Sequence, residues 1–276
     1  MFLVGELFAS DRLSIDSLFK KQIGLRSITS LSILSTGNSN SYYLYPDISI
    51  SGDPTIWNDT KGLFLNQTFI YTLNPKIDLL VSGGGSYMRK EYTNYVDNSY
   101  SSKNTINFDN LWLGFIYTAD SIYELIPQIT LQTAVIQRES AVDMTENFYF
   151  KSQSIQASVR GYSDPVVYSI YGGFGYNADR KFNNFNIRYG NSFYFGGNLS
   201  VILSPKITLD FGIEQRYQTR QKVNGYQNSE LRSIPTFSVG STYSLNSNTA
   251  ISVNGSFGGS SASPDSVFGI SLWRKF

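Results

Sequence analysis

Ile187-Arg188-Tyr189-Gly190-Asn191-Ser192-Phe193-Tyr194-Phe195-Gly196-Gly197-Asn198-Leu199-Ser200-Val201-Ile202-Leu203 decides the fold class. Its odd positions are mostly large and apolar: Ile187, Tyr189, Phe193, Phe195, Leu199, Val201 and Leu203. Most positions between them are polar or small. Successive side chains of a strand point to opposite faces, so this alternation predicts a strand with one greasy face and one wet face. After Ser204-Pro205-Lys206 the pattern resumes. Ile207, Leu209, Phe211 and Ile213 alternate with Thr208, Asp210, Gly212 and Glu214.

The same period runs through most of the chain. Leu111, Leu113, Phe115 and Tyr117 form one apolar row, Phe237, Val239 and Tyr243 another, and Ile155, Ala157 and Val159 a third. About twelve strands are expected on this pattern, many of them longer than the ~5–6 residues typical of globular sheets. Their spans are 26–36, 62–72, 78–90, 106–118, 126–138, 148–162, 166–177, 185–203, 207–218, 233–245, 249–258 and 266–276. Short and long connections alternate. The turn Leu73-Asn74-Pro75-Lys76-Ile77-Asp78-Leu79 recurs as Leu203-Ser204-Pro205-Lys206-Ile207-Thr208-Leu209, which suggests one turn chemistry reused along one rim.

Alternation also suits a soluble sandwich. Three features favour a membrane instead. Strands of ten residues or more can cross a bilayer when tilted. The apolar rows are nearly free of charge, and the polar rows hold Ser, Thr, Asn, Gln and Gly. Tyr71, Tyr117, Tyr149, Tyr168, Tyr176, Tyr217 and Tyr243 fall near strand ends, where an amphipathic ring suits the membrane–water interface. A closed sheet is the one all-β solution that leaves no backbone group unpaired in lipid. The expected architecture is therefore an all-β, transmembrane, up-and-down antiparallel barrel of about twelve strands. It would lie in a bacterial outer membrane, with both termini and the short turns periplasmic and the long loops outside.

Composition excludes several function classes. The 276 residues contain no cysteine and no histidine, so disulfides, thiolate metal sites and every triad that needs an imidazole are absent. Lys+Arg 22 against Asp+Glu 21 is too balanced for a nucleic-acid binder. Asp143 with Glu146, and Glu91 with Asp97, share loops and read as solvated charges. No catalytic residue, metal or cofactor is expected, and the chain does not read as an enzyme.

Near the N-terminus the period changes to that of a helix. Ser14 can cap, Ile15, Leu18, Phe19 and Ile23 share a face, Lys20 and Lys21 sit in the last turn, and Gly24 can end it. Residues 1–25 are thus expected as a segment with a short helix, and 26–276 as the barrel. With odd positions facing lipid, the lumen would hold Lys90, Arg138, Arg160, Arg188, Asp210, Glu214 and Arg216. Trp112, Tyr171 and Tyr194 would be lumen-facing stacking groups. Glu214 and Arg216 lie on one face of one strand, and Arg188 could pair with Asp210. Charges of both signs there weakly disfavour anion selectivity.

The segment Asp16-Ser17-Leu18-Phe19-Lys20-Lys21-Gln22-Ile23-Gly24-Leu25-Arg26, with the Ser-rich strand that follows it, resembles the start of barrels in the meta-pathway phenol-degradation-like family. The functional-amyloid secretion channel of the Fap system is of the same broad type. The last strand, ending in Phe276, resembles the signal read by the outer-membrane assembly machinery, although Arg274 departs from it. The resemblance implies a trimeric channel with a plug or gate carrying Ile15, Leu18, Phe19, Lys20 and Lys21. It points first to a gated secretion pore for an unfolded polypeptide. A passive or selective uptake porin for small, including aromatic, solutes and a structural or adhesive barrel are the alternatives. The partners implied are membrane lipid, the assembly machinery, the transported polypeptide or solute and further copies of the chain, with no nucleic acid.

Overall fold

The computed structural model describes residues 23–35, 55–94, 96–141, 144–183, 185–227, 229–258 and 266–276. Seventeen strands occur among them: β1 (Gly24–Ser35), β2 (Thr55–Asn74), β3 (Ile77–Asn94), β4 (Tyr100–Thr118), β5 (Ile126–Ala141), β6 (Met144–Phe148), β7 (Ser152–Ser163), β8 (Val166–Asn177), β9 (Arg180–Phe182), β10 (Phe185–Arg188), β11 (Ser192–Ser204), β12 (Ile207–Gln218), β13 (Lys222–Val223), β14 (Tyr226–Gln227), β15 (Arg232–Asn246), β16 (Thr249–Gly258) and β17 (Ser266–Lys275). There is no helix among the described residues. The expected helix of the N-terminal segment, with Ile15, Leu18, Phe19, Lys20 and Lys21, lies outside them.

Twelve strands form a closed antiparallel ring in the order β4-β3-β2-β1-β17-β16-β15-β12-β11-β8-β7-β5, which the pairing of β4 with β5 closes, and β6 adds to the same sheet by pairing with the end of β5. All but one of the pairs in this ring join strands consecutive along the barrel. The exception seals the first strand to the last: Arg26 pairs with Lys275, and Ile28 with Trp273. Closure removes every edge, so the backbone is satisfied without solvent.

The tight turns at Asn74–Ile77, Ser163–Val166, Ser204–Ile207 and Asn246–Thr249 lie at one rim, the turn end, with the start of β1 and the end of β17. The longer connection of β4 to β5 joins them there. Its foot is tied by Lys76 Nζ to Asp120 Oδ2 at 2.6 Å. That carboxylate holds the Lys76 ammonium above its ordinary pKa, although the pair is exposed and adds little stability.

The outer surface is apolar. Leu63, Leu65 and Phe69 on β2, Phe193, Phe195 and Leu199 on β11, and Phe211 and Ile213 on β12 are all exposed. Tyr71, Tyr117 and Tyr243 mark this surface near the turn end, and Tyr176 and Tyr217 near the loop end. From Ile207 to Tyr217 the strand runs ~33 Å, or ~25 Å of height at a tilt of ~40°, which matches the hydrocarbon band of an outer-membrane barrel.

The expected spans differ from the structure in several places, the expected strand 148–162 among them, which is β7 from Ser152 with Phe148 ending β6. β2, β3 and β4 run 20, 18 and 19 residues, so much of the expected loop 91–105 is strand. A bulge at Gly84/Gly85 opposite Phe108–Asn110 bends this tall sector. The expected strand 185–203 is two elements. β10 leaves the barrel for a separate four-stranded sheet, β14-β13-β10-β9, and β11 starts at Ser192. Ile187 and Tyr189 continue the odd-numbered apolar row, but they bury in a loop core with Phe148 and Phe182. At the break, Gly190 packs against the Thr219 carbonyl with no room for a side chain.

Candidate functional site: the barrel lumen

The lumen is built from the residues opposite the greasy rows. On β12 these are Thr208, Asp210, Gly212, Glu214 and Arg216, and on β15 Thr236, Ser238, Gly240 and Thr242. The lumen encloses a cavity of about 270 Å³ whose lining includes Gln156, Ser158, Arg160, Asn198, Asp210 and Glu214.

Three hydrogen-bonded groups organise the wall. The first crosses four strands. Tyr171 on β8 stands opposite Gly196 on β11, and Tyr194 on β11 opposite Gly173 on β8. The tip of each ring, Cζ and the hydroxyl, lies over the facing glycine, in space that a Cβ would occupy. The Tyr171 hydroxyl thereby reaches Glu214 Oε2 on β12 at 3.1 Å, and the Tyr194 hydroxyl reaches Gln156 Oε1 on β7 at 3.2 Å. Arg216 donates Nε and Nη2 to Glu214 Oε1 at 3.1 and 2.9 Å, and its guanidinium sits 4.8 Å from the Tyr194 ring centroid. Two tyrosines thus run in opposite directions along the wall rather than into the bore.

The second group is a relay of hydroxyls. Trp273 Nε1 donates to Ser252 Oγ at 3.0 Å, Ser252 and Thr242 hydroxyls lie 2.9 Å apart, and Thr242 donates to Asp210 Oδ2 at 3.0 Å. Ser200 Oγ donates to the other Asp210 oxygen at 2.7 Å. Five strands are joined in one polar belt. The third group sits at the turn end. Thr72 donates to Asp78 Oδ1 at 2.7 Å, and Arg26 Nη2 lies 3.5 Å from Asp78 Oδ2, with the carboxylate fully buried.

One sector of the inner wall is apolar. Ile28 on β1, Ile70 on β2, Leu80 on β3 and Ile116 on β4 form a cluster against Trp273. The lining is therefore mixed: an aliphatic and indole patch on β17 and β1–β4 lies beside Ser30, Asn66, Thr68 and Ser82 of the same strands, and a hydroxyl, amide and carboxylate wall continues over the other strands.

Among the residues singled out from the sequence, Arg160, Tyr171, Tyr194, Asp210 and Glu214 line the cavity. Arg216 joins them through Glu214, and Trp112, opposite Ser82, is on the inner face. The Lys90 side chain lies outside the described part of the structure. Two positions are corrected. Arg138 is exposed on the outer side, because a bulge between Ala134 and Ile136 inverts the parity of β5 and turns Gln137 and Glu139 inward. Arg188 does not meet Asp210. It lies on β10 in the loop-end sheet, 3.6 Å from Asp179. Phe276 is exposed, and its N–H donates to the Leu25 carbonyl at 2.9 Å.

Several organising residues escaped sequence reasoning. Trp273 faces inward because β17, like β8, runs with even positions outward, as Phe268 and Ile270 show. Asp78 could have been found: it is the one charged difference between the two copies of the Pro-Lys-Ile turn, where Thr208 stands in the other.

Comparison with solved structures finds the same architecture in bacterial barrels. An outer membrane channel from Pseudomonas putida F1 superposes with a TM-score of 0.70 at 13% identity, over 94% of this chain and 98% of that one. The likeness is one of fold. The translocator domain of the autotransporter NalP from Neisseria meningitidis gives 0.54 at 11% identity, covering 95% and 91%. The NanC porin gives 0.54 at 7%, covering 90% and 100%. No protein-family profile matches the chain, and no curated protein does.

Proposed function

We propose that the protein is an outer-membrane channel through which small solutes diffuse. The observation that carries this reading is the opposition of two faces on the same strands, a predominantly apolar belt outside and a hydrogen-bonded polar wall around a cavity inside. The fold's likeness to an outer membrane channel and a porin supports it. An apolar patch beside a polar wall suits amphipathic solutes, small aromatic compounds among them: an apolar body would lie on Ile28, Leu80 and Trp273 while polar groups exchange water for the Asp210 belt. No feature of the described residues favours an unfolded polypeptide over such a solute. In this reading the turn end is periplasmic, lipid covers the outer belt, and the last strand with Phe276 is the part offered to the assembly machinery. β1 begins at the turn-end mouth, beside the end of β17, and we propose that the segment preceding it acts there as a plug or gate.

Proteoliposome swelling tests the reading. Vesicles carrying the protein should swell in arabinose and in a small hydroxylated aromatic acid, with rates that fall as solute size rises, whereas protein-free vesicles should not. If residues 1–22 are a gate, their deletion raises both swelling and single-channel conductance. Zero conductance and no swelling, for both the full chain and the deletion variant, would contradict the channel.

A further inference from the structure

The four-stranded sheet at the loop end has two unlike faces. On one, Phe182 and Ile187 are fully buried and pack with Tyr189 on Phe148 of β6. Beside them Arg180 reaches Glu139 on the inward side of β5. That face is therefore turned to the inner wall of β5 and β6. The opposite face is turned away from that wall and is exposed. The register places Lys181 opposite Asn186, and Arg188 opposite Lys222, which stands opposite Gln227. Directly paired residues, and residues two apart, share a face, so all five project together. All five are exposed.

Arg188 and Lys222 are like charges in direct cross-strand opposition, an arrangement that costs stability. The carboxylate recorded against this face is Asp179, 3.6 Å from Arg188 and itself exposed. A second cation alongside, Arg220, is already held by Glu230 at 3.5 Å. The chain as a whole is nearly neutral, at +1. Its loop-end sheet nonetheless presents three cations against one carboxylate on one face.

We propose that this face is a recruitment site for small anionic solutes, carboxylates in particular, at the loop-end mouth. The inference rests on the channel reading and adds the charge class of what the channel draws in. Fixed cations at a mouth raise the local anion concentration and the capture rate, and salt suppresses the effect. The balanced charges of the lumen wall leave this discrimination to the mouth.

The test is the chloride-to-potassium permeability ratio, measured by single-channel recording in a KCl gradient with the salt varied. The comparison is the full chain against the triple variant Lys181→Gln, Arg188→Gln, Lys222→Gln. At ~0.1 M salt the ratio should fall roughly threefold in the variant, and the difference should vanish near 1 M, where screening acts within ~3 Å. Uptake of benzoate by proteoliposomes should fall by a similar factor, with arabinose swelling unchanged. Equal ratios in both proteins at low salt would overturn the proposal. So would an unchanged ratio together with lost retention on phosphatidylglycerol vesicles, which would assign the face to lipid phosphates. A chain that conducts nothing would defeat the channel reading instead, so the two failures are distinguishable.

Discussion

Replacing Arg180 with glutamine is expected to cost about 3–5 kcal/mol and to release the loop-end sheet while the barrel stays closed. Arg180 and Glu139 are fully desolvated, with Nε and Oε1 2.7 Å apart. The remaining guanidinium donors are used on the Ala178 carbonyl at 2.8 Å and Ser152 Oγ at 2.8 Å, and the Tyr189 ring centroid lies 4.6 Å from the guanidinium carbon. This one side chain ties the β8–β11 connection to the inner faces of β5 and β7. Removing it leaves a carboxylate buried without its counter-charge, and the segment opens to hydrate it. Hydrogen exchange should accelerate in 178–191 and 219–231 while β11, β12 and β15 stay protected. The double variant Arg180→Met, Glu139→Met should recover most of the loss, because an apolar pair in the same space carries no desolvation penalty. Unchanged exchange in Arg180→Gln would show that the hydrophobic contacts of Phe148, Phe182 and Ile187 hold the sheet without the ion pair.

A charge placed on the outer belt should be nearly as damaging. Phe211 and Ile213 stand near mid-height of β12, exposed and flanked by apolar rows of β11 and β15. Arginine at either position should lower the free energy of folding into vesicles by ~2–4 kcal/mol, the cost for a cation at a bilayer midplane. Arginine at Asn198, one strand over on the inner face, should fold as the parent does, since its guanidinium stays in water. Equilibrium urea titration of folding into lipid vesicles measures both. Equal costs at Phe211 and Asn198 would mean that the two faces do not meet different solvents.

Much of this was legible because period-two alternation survives wherever one face meets lipid and the other meets water. Ile207 to Gln218 and Thr249 to Gly258 fall where the pattern put them. Alternation cannot distinguish lipid from a loop core, however. Ile187 and Tyr189 keep the parity of Phe193 and Phe195, yet they bury against Phe148. Nor does it carry through irregularities. The bulge at Ala134/Ile136 exchanges the faces of Arg138 and Glu139, and the outward parity changes from β7 to β8 and from β16 to β17, hiding Trp273. The upper parts of β3 and β4 went unseen because Glu91, Ser101, Ser102 and Asn104 stand beyond the lipid, where no apolar row is needed. The cationic face joins Lys181, Arg188 and Lys222 across a connection of one whole hairpin. Spacing alone does not bring them together.

A membrane barrel requires that the two faces of the wall meet different solvents, and the absence of cysteine from the sequence allows that to be read residue by residue. Single cysteines from 207 to 217 in the protein folded into vesicles should alternate. Positions 208, 210, 212 and 214 should react with a water-soluble thiol reagent. A fluorophore at 209, 211 or 213 should be quenched by a nitroxide carried on lipid chains. Loss of that alternation, or reaction from water at 211 and 213, would contradict a lipid-embedded barrel with a hydrated lumen.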